Sequence, residues 1–142
     1  NIMGTINVIK FSLKYDKKKI VFASSAAVYG NSIVTPISVS DPTHPLSPYG
    51  LSKKTAEDYL KLAKDLYDLD YAILRYSNVY GPRQTTSGEG GVISIFTNQV
   101  INNEEPVIYG DGFQTRGFIY VEDVASANLK ALRYDGSGTF NI

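Results

Sequence analysis

The chain has 142 residues, which fits one domain or a part of a larger one, and its 43% hydrophobic content supports a buried core. Fourteen basic and fourteen acidic side chains balance, leaving no basic field for nucleic acid and no acidic tail, although a local anion site built from one or two arginines stays open. With no cysteine and a single histidine, His44, disulfides, cysteine-based zinc sites and histidine metal clusters are excluded; no apolar run reaches membrane-spanning length, residues 1–4 do not read as a signal peptide, and the expected protein is soluble and cytoplasmic.

Ile2, Ile6, Ile9 and Leu13 recur at helical spacing across residues 2–15 and predict a helix that begins at or before residue 1, with Phe11 and Tyr15 as further apolar positions. It carries no start signal at residue 1. Residues 16–19 read as a charged, solvated turn. Ile20-Val21-Phe22-Ala23 is a short continuous apolar run, which suits a strand buried on both faces of a parallel sheet. It ends in the small residues around Ser24-Ser25-Ala26-Ala27, at the strand end where open α/β sheets bind ligands. Residues 31–48, with Pro36, Pro42, Pro45 and Pro48, read as a long ordered loop of the kind that serves function. His44 lies there as a loop histidine, with substrate contact as the alternative.

Ser47-Pro48 resembles an N-cap followed by proline at the first helical position. A helix over 48–68 follows, with Ala56, Tyr59, Leu60, Ala63, Leu66 and Tyr67 as its apolar stripe. Residues 71–76 form a second buried-strand candidate, 77–83 a loop leaving its carboxyl end, and 84–91 a flexible segment. A helix is predicted over 92–102, a strand at 107–109, a turn at 110–112, a strand at 118–121 and a helix over 122–132 with Asp123 near its positive end. A strand begins at 140–142. The alternation of strands and helices predicts an α/β, Rossmann-like, doubly wound and mainly parallel sheet. Both ends stop inside elements, so the chain is expected to be the middle of a larger enzyme.

The stretch that points to chemistry is Tyr49-Gly50-Leu51-Ser52-Lys53. One helical turn brings positions i and i+4 onto one face. A nearby ammonium favours phenolate, and a phenol tuned in this way can act as a general base toward an alcohol near neutral pH. A tyrosine and a lysine four apart also occur on many helices by chance, so the pair needs its context.

That context is a resemblance. Ser24 to Gly30, Ser47 to Lys53, Leu74 to Arg83, and Gly110 to Asp123 together resemble the extended short-chain dehydrogenase/reductase family, and within it the UDP-glucose 4-epimerases. Asn1 to Thr5 is similar to a fifth family segment, and the five cover nearly the whole chain in the family's order. The resemblance implies that residues 1–81 are the C-terminal part of an NAD-binding Rossmann domain. Residues 82–142 would be mainly part of a small C-terminal substrate-binding region, with a returning strand and helix.

It also implies roles. Tyr49 takes the proton from the sugar 4-hydroxyl, Lys53 supports Tyr49 and hydrogen-bonds the nicotinamide ribose, and Ser25 bonds the 4-hydroxyl and relays its proton. A hydroxyl can both donate and accept, which suits that relay. Ser24 is a packing neighbour or a cofactor contact, and Tyr76 and Ser77 lie beside the cofactor. Ser77 occupies a position that is often aromatic, so contact there is expected through the backbone. Asn78 and Arg116 match residues that contact the phosphates of the nucleotide sugar, and a guanidinium fork suits phosphate oxygens. Arg83 is a secondary match. Val92 and residues 107–109 fall where the family surrounds uracil and ribose. For Val107 and Tyr109, packing against the base and packing in the core stay open. The implied cofactor is NAD, the implied substrate a UDP-hexose, and the implied assembly a homodimer in which the helices from residues 2 and 48 pair with their copies. Some of the Tyr59, Leu60 and Tyr67 surface would then be interface.

Residues 25–27 bear on the reaction. Dehydratases of the family carry an acid pair where this chain has Ala26-Ala27, and elimination needs that extra acid and base. Epimerisation at C4 through a 4-keto sugar needs only the tyrosine, the serine and the hydride carrier. The reading is a NAD-dependent UDP-glucose/UDP-galactose-type 4-epimerase. A UDP-glucuronate epimerase or decarboxylase is the alternative within the family, and an inactive fragment or non-catalytic assembly protein the alternative outside it. The family's glycine-rich phosphate loop is absent from this sequence. Gly88, Gly90 and Gly91 do not replace it, having no strand directly before them and the wrong spacing. The isolated chain is therefore expected to bind NAD poorly.

Overall fold

The computed structural model describes residues 1–16, 19–31, 35–86 and 91–142. Parts of three expectations lie outside the described residues: the charged turn at 17–18, the loop at 32–34 and the glycine-rich segment at 87–90. The described residues gather into two compact units, one of residues 1–76 and 127–142 and the other of residues 77–126.

The first unit is built on a parallel sheet. Strand β1 (Lys19–Ser25) pairs with β2 (Asp70–Tyr76), and β2 pairs with β5 (Gly138–Asn141), giving the order β1-β2-β5 among the described residues. The β1–β2 register runs residue for residue from Lys19 opposite Asp70 to Ser25 opposite Tyr76. Ser25 and Tyr76 therefore leave the sheet side by side at its carboxyl edge.

Helix α1 (Ile2–Lys14) and helix α2 (Pro48–Tyr67) cover one face, where Ile9, Leu60, Ala63, Leu69 and Ile73 form a buried cluster. Helix α4 (Val121–Arg133) brings Ala131 to the other face, against Ala72 and Leu74 with Val21, Tyr76 and Phe140. Helices on both faces of parallel strands are the doubly wound arrangement. The apolar run of β1 does meet packing on both sides. As an edge strand of the described sheet, however, its side chains are half-buried rather than fully enclosed.

Helix α2 starts as its sequence predicts. Ser47 accepts a hydrogen bond from the Gly50 N–H at 3.0 Å, Pro48 takes the first helical position, and Asp68 ends the helix in the left-handed conformation. The buried stripe is narrower than predicted: Ala56, Leu60 and Ala63 are enclosed, while Tyr59, Leu66 and Tyr67 are exposed. Leu60 is thus a core residue and not available to an interface. In α1 the buried residues are Thr5, Ile9 and Ser12, and Leu13 is exposed. Met3, Val8, Phe11 and Tyr15 make a second, exposed apolar side.

The second unit holds strand β3 (Asn78–Tyr80), helix α3 (Val92–Ile101) and strand β4 (Phe118–Tyr120), followed by the first turns of α4. β3 and β4 pair in parallel, Asn78 opposite Phe118, and the rings of Tyr80, Phe118 and Tyr120 pack together. Residues 78–80, predicted as loop, are therefore a strand. Residues 107–109, predicted as a strand, are not one: Val107, Ile108 and Tyr109 lie exposed and unpaired with any strand among the described residues. An apolar triplet has strand propensity, but a ladder needs a neighbour to satisfy its backbone.

Candidate active site

Ser25 is the last residue of β1 and caps the 3-10 turn Ala26–Val28, its Oγ accepting from the Ala27 N–H at 3.2 Å. Tyr49 is the second residue of α2 and is 52% exposed. The close approach of these two elements depends on Gly50. A Cβ there would stand 2.6 Å from the Ala27 carbonyl oxygen and 3.2 Å from the Pro45 Cβ. The first turn of α2 therefore lies directly against the turn that follows Ser25. A second close contact holds the loop before α2: a Cβ on Gly30, whose φ is +69°, would meet the His44 carbonyl. His44 itself is exposed on that loop.

Lys53 lies one turn beyond Tyr49. Its Nζ donates to the Ala23 carbonyl at 2.8 Å and stands 5.7 Å from the centre of the Tyr49 ring and 5.2 Å from that of Phe22. Burial lowers the Lys53 pKa below the ordinary lysine value. An exposed phenol, a partly desolvated ammonium and a strand-end hydroxyl thus collect at the carboxyl edge of a parallel sheet. Such a set can accept, hold and return the proton of an alcohol.

The same unit contains Ser24 and Tyr76. Ser24 is buried and donates its hydroxyl to Glu57 Oε1 at 2.5 Å. The Tyr76 hydroxyl accepts from Asn128 Nδ2 at 2.7 Å.

In the second unit, Ser77 lies beside Gly117, and Asn78 makes two bonds to the Gly117 carbonyl, from its backbone N–H and from Nδ2, both 3.0 Å. β-pairing therefore brings Asn78 beside the residue that follows Arg116. Arg116 is exposed and donates to the Thr115 carbonyl at 2.7 Å. Val92 sits at the start of α3, and Val107 and Tyr109 stand on the exposed segment before the Gly110-Asp111-Gly112 turn, Tyr109 being 85% exposed. Arg83 follows Gly81-Pro82 with a positive φ of 70° and is exposed.

A profile of the NAD dependent epimerase/dehydratase family matches residues 1–142. The chain belongs to that family. A candidate UDP-glucose 4-epimerase of Methanocaldococcus jannaschii is 57% identical over 135 residues, covering 94% of this chain and 44% of that protein. Among solved structures, a UDP-N-acetylglucosamine 4-epimerase from Methanobrevibacter ruminantium, in complex with UDP-N-acetylmuramic acid, superposes with a TM-score of 0.97 at 41% identity. That match covers 100% of this chain and 46% of the other. A UDP-glucose 4-epimerase of Thermotoga maritima, solved with UDP-glucose, gives 0.94 at 44% identity over 99% of this chain and 46% of its own. The chain spans just under half the length of these relatives.

Two residues of the family chain were not visible as site candidates in the sequence. Glu57 on α2 and Arg75 on β2 are 0% and 4% exposed and form a two-pronged ion pair, Nε to Oε1 at 3.0 Å and Nη2 to Oε2 at 2.7 Å. Arg75 Nη1 also donates to the Tyr29 hydroxyl at 2.7 Å, and Tyr29 donates in turn to Asn141 Oδ1 at 2.6 Å. The signal was present: Glu57 interrupts the buried stripe of α2 next to Ala56, and Arg75 interrupts an apolar strand. Charged residues at core positions are rare unless paired.

Proposed function

We propose that the full-length protein carrying this chain is a NAD-dependent nucleotide-sugar 4-epimerase of the UDP-glucose/UDP-galactose type. The observation that carries the reading is the Tyr49–Lys53 pair on the first turns of α2, laid by Gly50 against the turn that follows Ser25.

NAD suits the residues present. The Lys53 ammonium has three donors, of which the Ala23 carbonyl takes one. Together with the Ser25 and Tyr49 hydroxyls it lines the strand ends where nucleotides bind in doubly wound sheets. When bound, NAD supplies reversible acceptance of the hydride from the sugar C4. Tyr49 receives the proton of the 4-hydroxyl through Ser25, which donates and accepts in turn. Tyr49 acts as phenolate, its negative charge held by the Lys53 ammonium until the arriving proton neutralises it. On the return step Tyr49 gives the proton back through Ser25 to the sugar oxygen, the hydride that bound NAD would return entering on the other face of C4. Asn78 and Arg116 hold the pyrophosphate, Arg116 by its fork of donors. Val92, Val107 and Tyr109 offer apolar surface to the uracil, and Tyr76 and Ser77 belong to the cofactor side by the family resemblance, whereas Ser24 is the packing neighbour, its hydroxyl taken up by Glu57. Ala26 and Ala27 supply no second acid and base, which favours epimerisation over dehydration. The exposed apolar sides of α1 and α2 form a homodimer interface in this reading.

The test is a panel of UDP-glucose, UDP-N-acetylglucosamine and UDP-glucuronate incubated with full-length protein, with product identification. The expected product is the C4 epimer. A decarboxylated pentose, or no turnover at all, would sink the reading. Tyr49→Phe is expected to lower kcat by roughly 10²- to 10⁴-fold, and an unaltered rate would remove Tyr49 from its role.

A further inference from the structure

We infer that the buried Ser24–Glu57–Arg75 chain is a positioning device for the reacting hydroxyls, holding α2 in register with the end of β1. The inference rests on the epimerase reading above and adds residues to it.

Glu57 stands four residues after Lys53 and eight after Tyr49, so the three share one face of α2. The two lower members of that face each reach β1. Lys53 donates to the Ala23 carbonyl at 2.8 Å, and Glu57 accepts from Ser24 Oγ at 2.5 Å. Ala23 and Ser24 are the two residues directly before Ser25. Successive residues of a strand point to opposite faces, so anchoring Ser24 on the α2 side fixes the backbone from which the half-buried Ser25 projects.

Arg75 extends the anchor. Its guanidinium grips Glu57 with two bonds, meets the Tyr29 hydroxyl at 2.7 Å and lies 3.4 Å from the Val39 carbonyl. Tyr29 passes the contact to Asn141, whose Nδ2 donates to the Ile37 carbonyl at 2.9 Å. One connected set of polar atoms therefore ties β1, β2, β5, α2 and the loop at residues 37–39. A buried ion pair is often no more stabilising than well-packed apolar residues of its volume. Its placement behind Ser25, Tyr49 and Lys53 is accounted for by the geometry it enforces. Reaction geometry is sensitive at this scale, since displacement by about 1 Å can lower a rate about a hundredfold.

The experiment uses full-length protein. Ser24→Ala removes one hydroxyl and leaves Glu57 held by both Arg75 bonds. We expect kcat about tenfold lower with KM within about twofold. We also expect no further loss from Ser24→Ala in a Ser25→Ala background, because Ser24 acts through Ser25. Glu57→Asp keeps the charge, shortens the reach, and repeats the pattern if Ser24→Ala folds poorly. A readout independent of turnover is amide exchange. The Ala27 N–H, which donates to Ser25 Oγ, is expected to exchange at least about tenfold faster in Ser24→Ala, while the Lys64 amide in the last turns of α2 is unchanged. An unaltered kcat, an equal loss in both backgrounds, or unaltered Ala27 exchange each overturns the inference. A wild-type protein that epimerises no UDP-sugar defeats the epimerase reading instead, and the Ala27 comparison still decides this one.

Discussion

Replacing Glu57 by glutamine is expected to destabilise the fold by about 3–5 kcal/mol, the usual consequence of removing one partner of a buried pair. The carboxylate is 0% exposed and accepts three hydrogen bonds, two of them from an arginine that is 4% exposed. Glutamine has nearly the same shape but only one acceptor oxygen. Its NH₂ meets an Arg75 donor in either orientation, because Oε1 accepts from Arg75 Nε as well as Ser24 and Oε2 accepts from Arg75 Nη2. Worse, the guanidinium keeps its full charge with no counter-charge inside the core. Against a typical total of about 5–15 kcal/mol, this is a large fraction. At about 2–4 °C per kcal/mol for domains somewhat larger than this chain, the melting midpoint falls by roughly 6–20 °C. Thermal unfolding followed by circular dichroism, with a urea titration at constant m-value, measures the effect. The double substitution Glu57→Leu with Arg75→Met removes both charges and is expected to lie within about 2 kcal/mol of wild type. A Glu57→Gln protein within about 1 kcal/mol of wild type, or a double variant as unstable as the single one, would refute the reasoning.

Gly50→Ala forces a methyl to within 2.6 Å of the Ala27 carbonyl. We expect it to lower kcat more than tenfold by moving α2 off the Ser25 turn, with steady-state kinetics as the check. Asp70 is held below the ordinary carboxylate value of 3.8, first by its hydrogen bond from Lys64 and next by that from Ser137. A depressed folded pKa adds stability above the unfolded value, and this stability is lost as pH falls through the folded one. Asp70→Asn should therefore flatten the loss of stability below about pH 4, in denaturant titrations run across pH. It should change stability at pH 7 by less than about 1 kcal/mol, because the pair is well solvated. Leu62→Glu with Leu66→Glu, on the exposed side of α2, should convert a dimeric full-length protein to monomer in sedimentation equilibrium. A wild type already monomeric at all concentrations would count against that interface.

Features with local causes were legible in the sequence. The start of α2 follows from a serine and a proline that act within one turn, and the Tyr49–Lys53 relation follows from helical spacing alone. Strands β1 and β2 show as apolar runs that pair with each other, β2 taking β5 on its other side. The exposed segment at 107–109 misled for the same reason in reverse: its three apolar residues look like strand, but pairing is a property of the neighbour. Helix α1 was misjudged by part of a turn because Phe11, Val8 and Met3 give it a second apolar side, and a periodicity count cannot say which side meets the sheet. The Glu57–Arg75 pair was invisible as a pair since its members lie 18 residues apart on different elements. Each is noticeable only as a charge where an apolar residue belongs.

The bond from Lys53 to the Ala23 carbonyl has a consequence for how such a protein can vary. The partner is a main-chain oxygen, which every residue type carries. Changes of side chain at position 23 therefore leave the ammonium tethered, and only a change in the path of the strand releases it. The charge beside Tyr49 is located by the trace of the backbone, not by the identity of a neighbour. Mutational drift along this strand can then proceed while Lys53 keeps its place beside Tyr49.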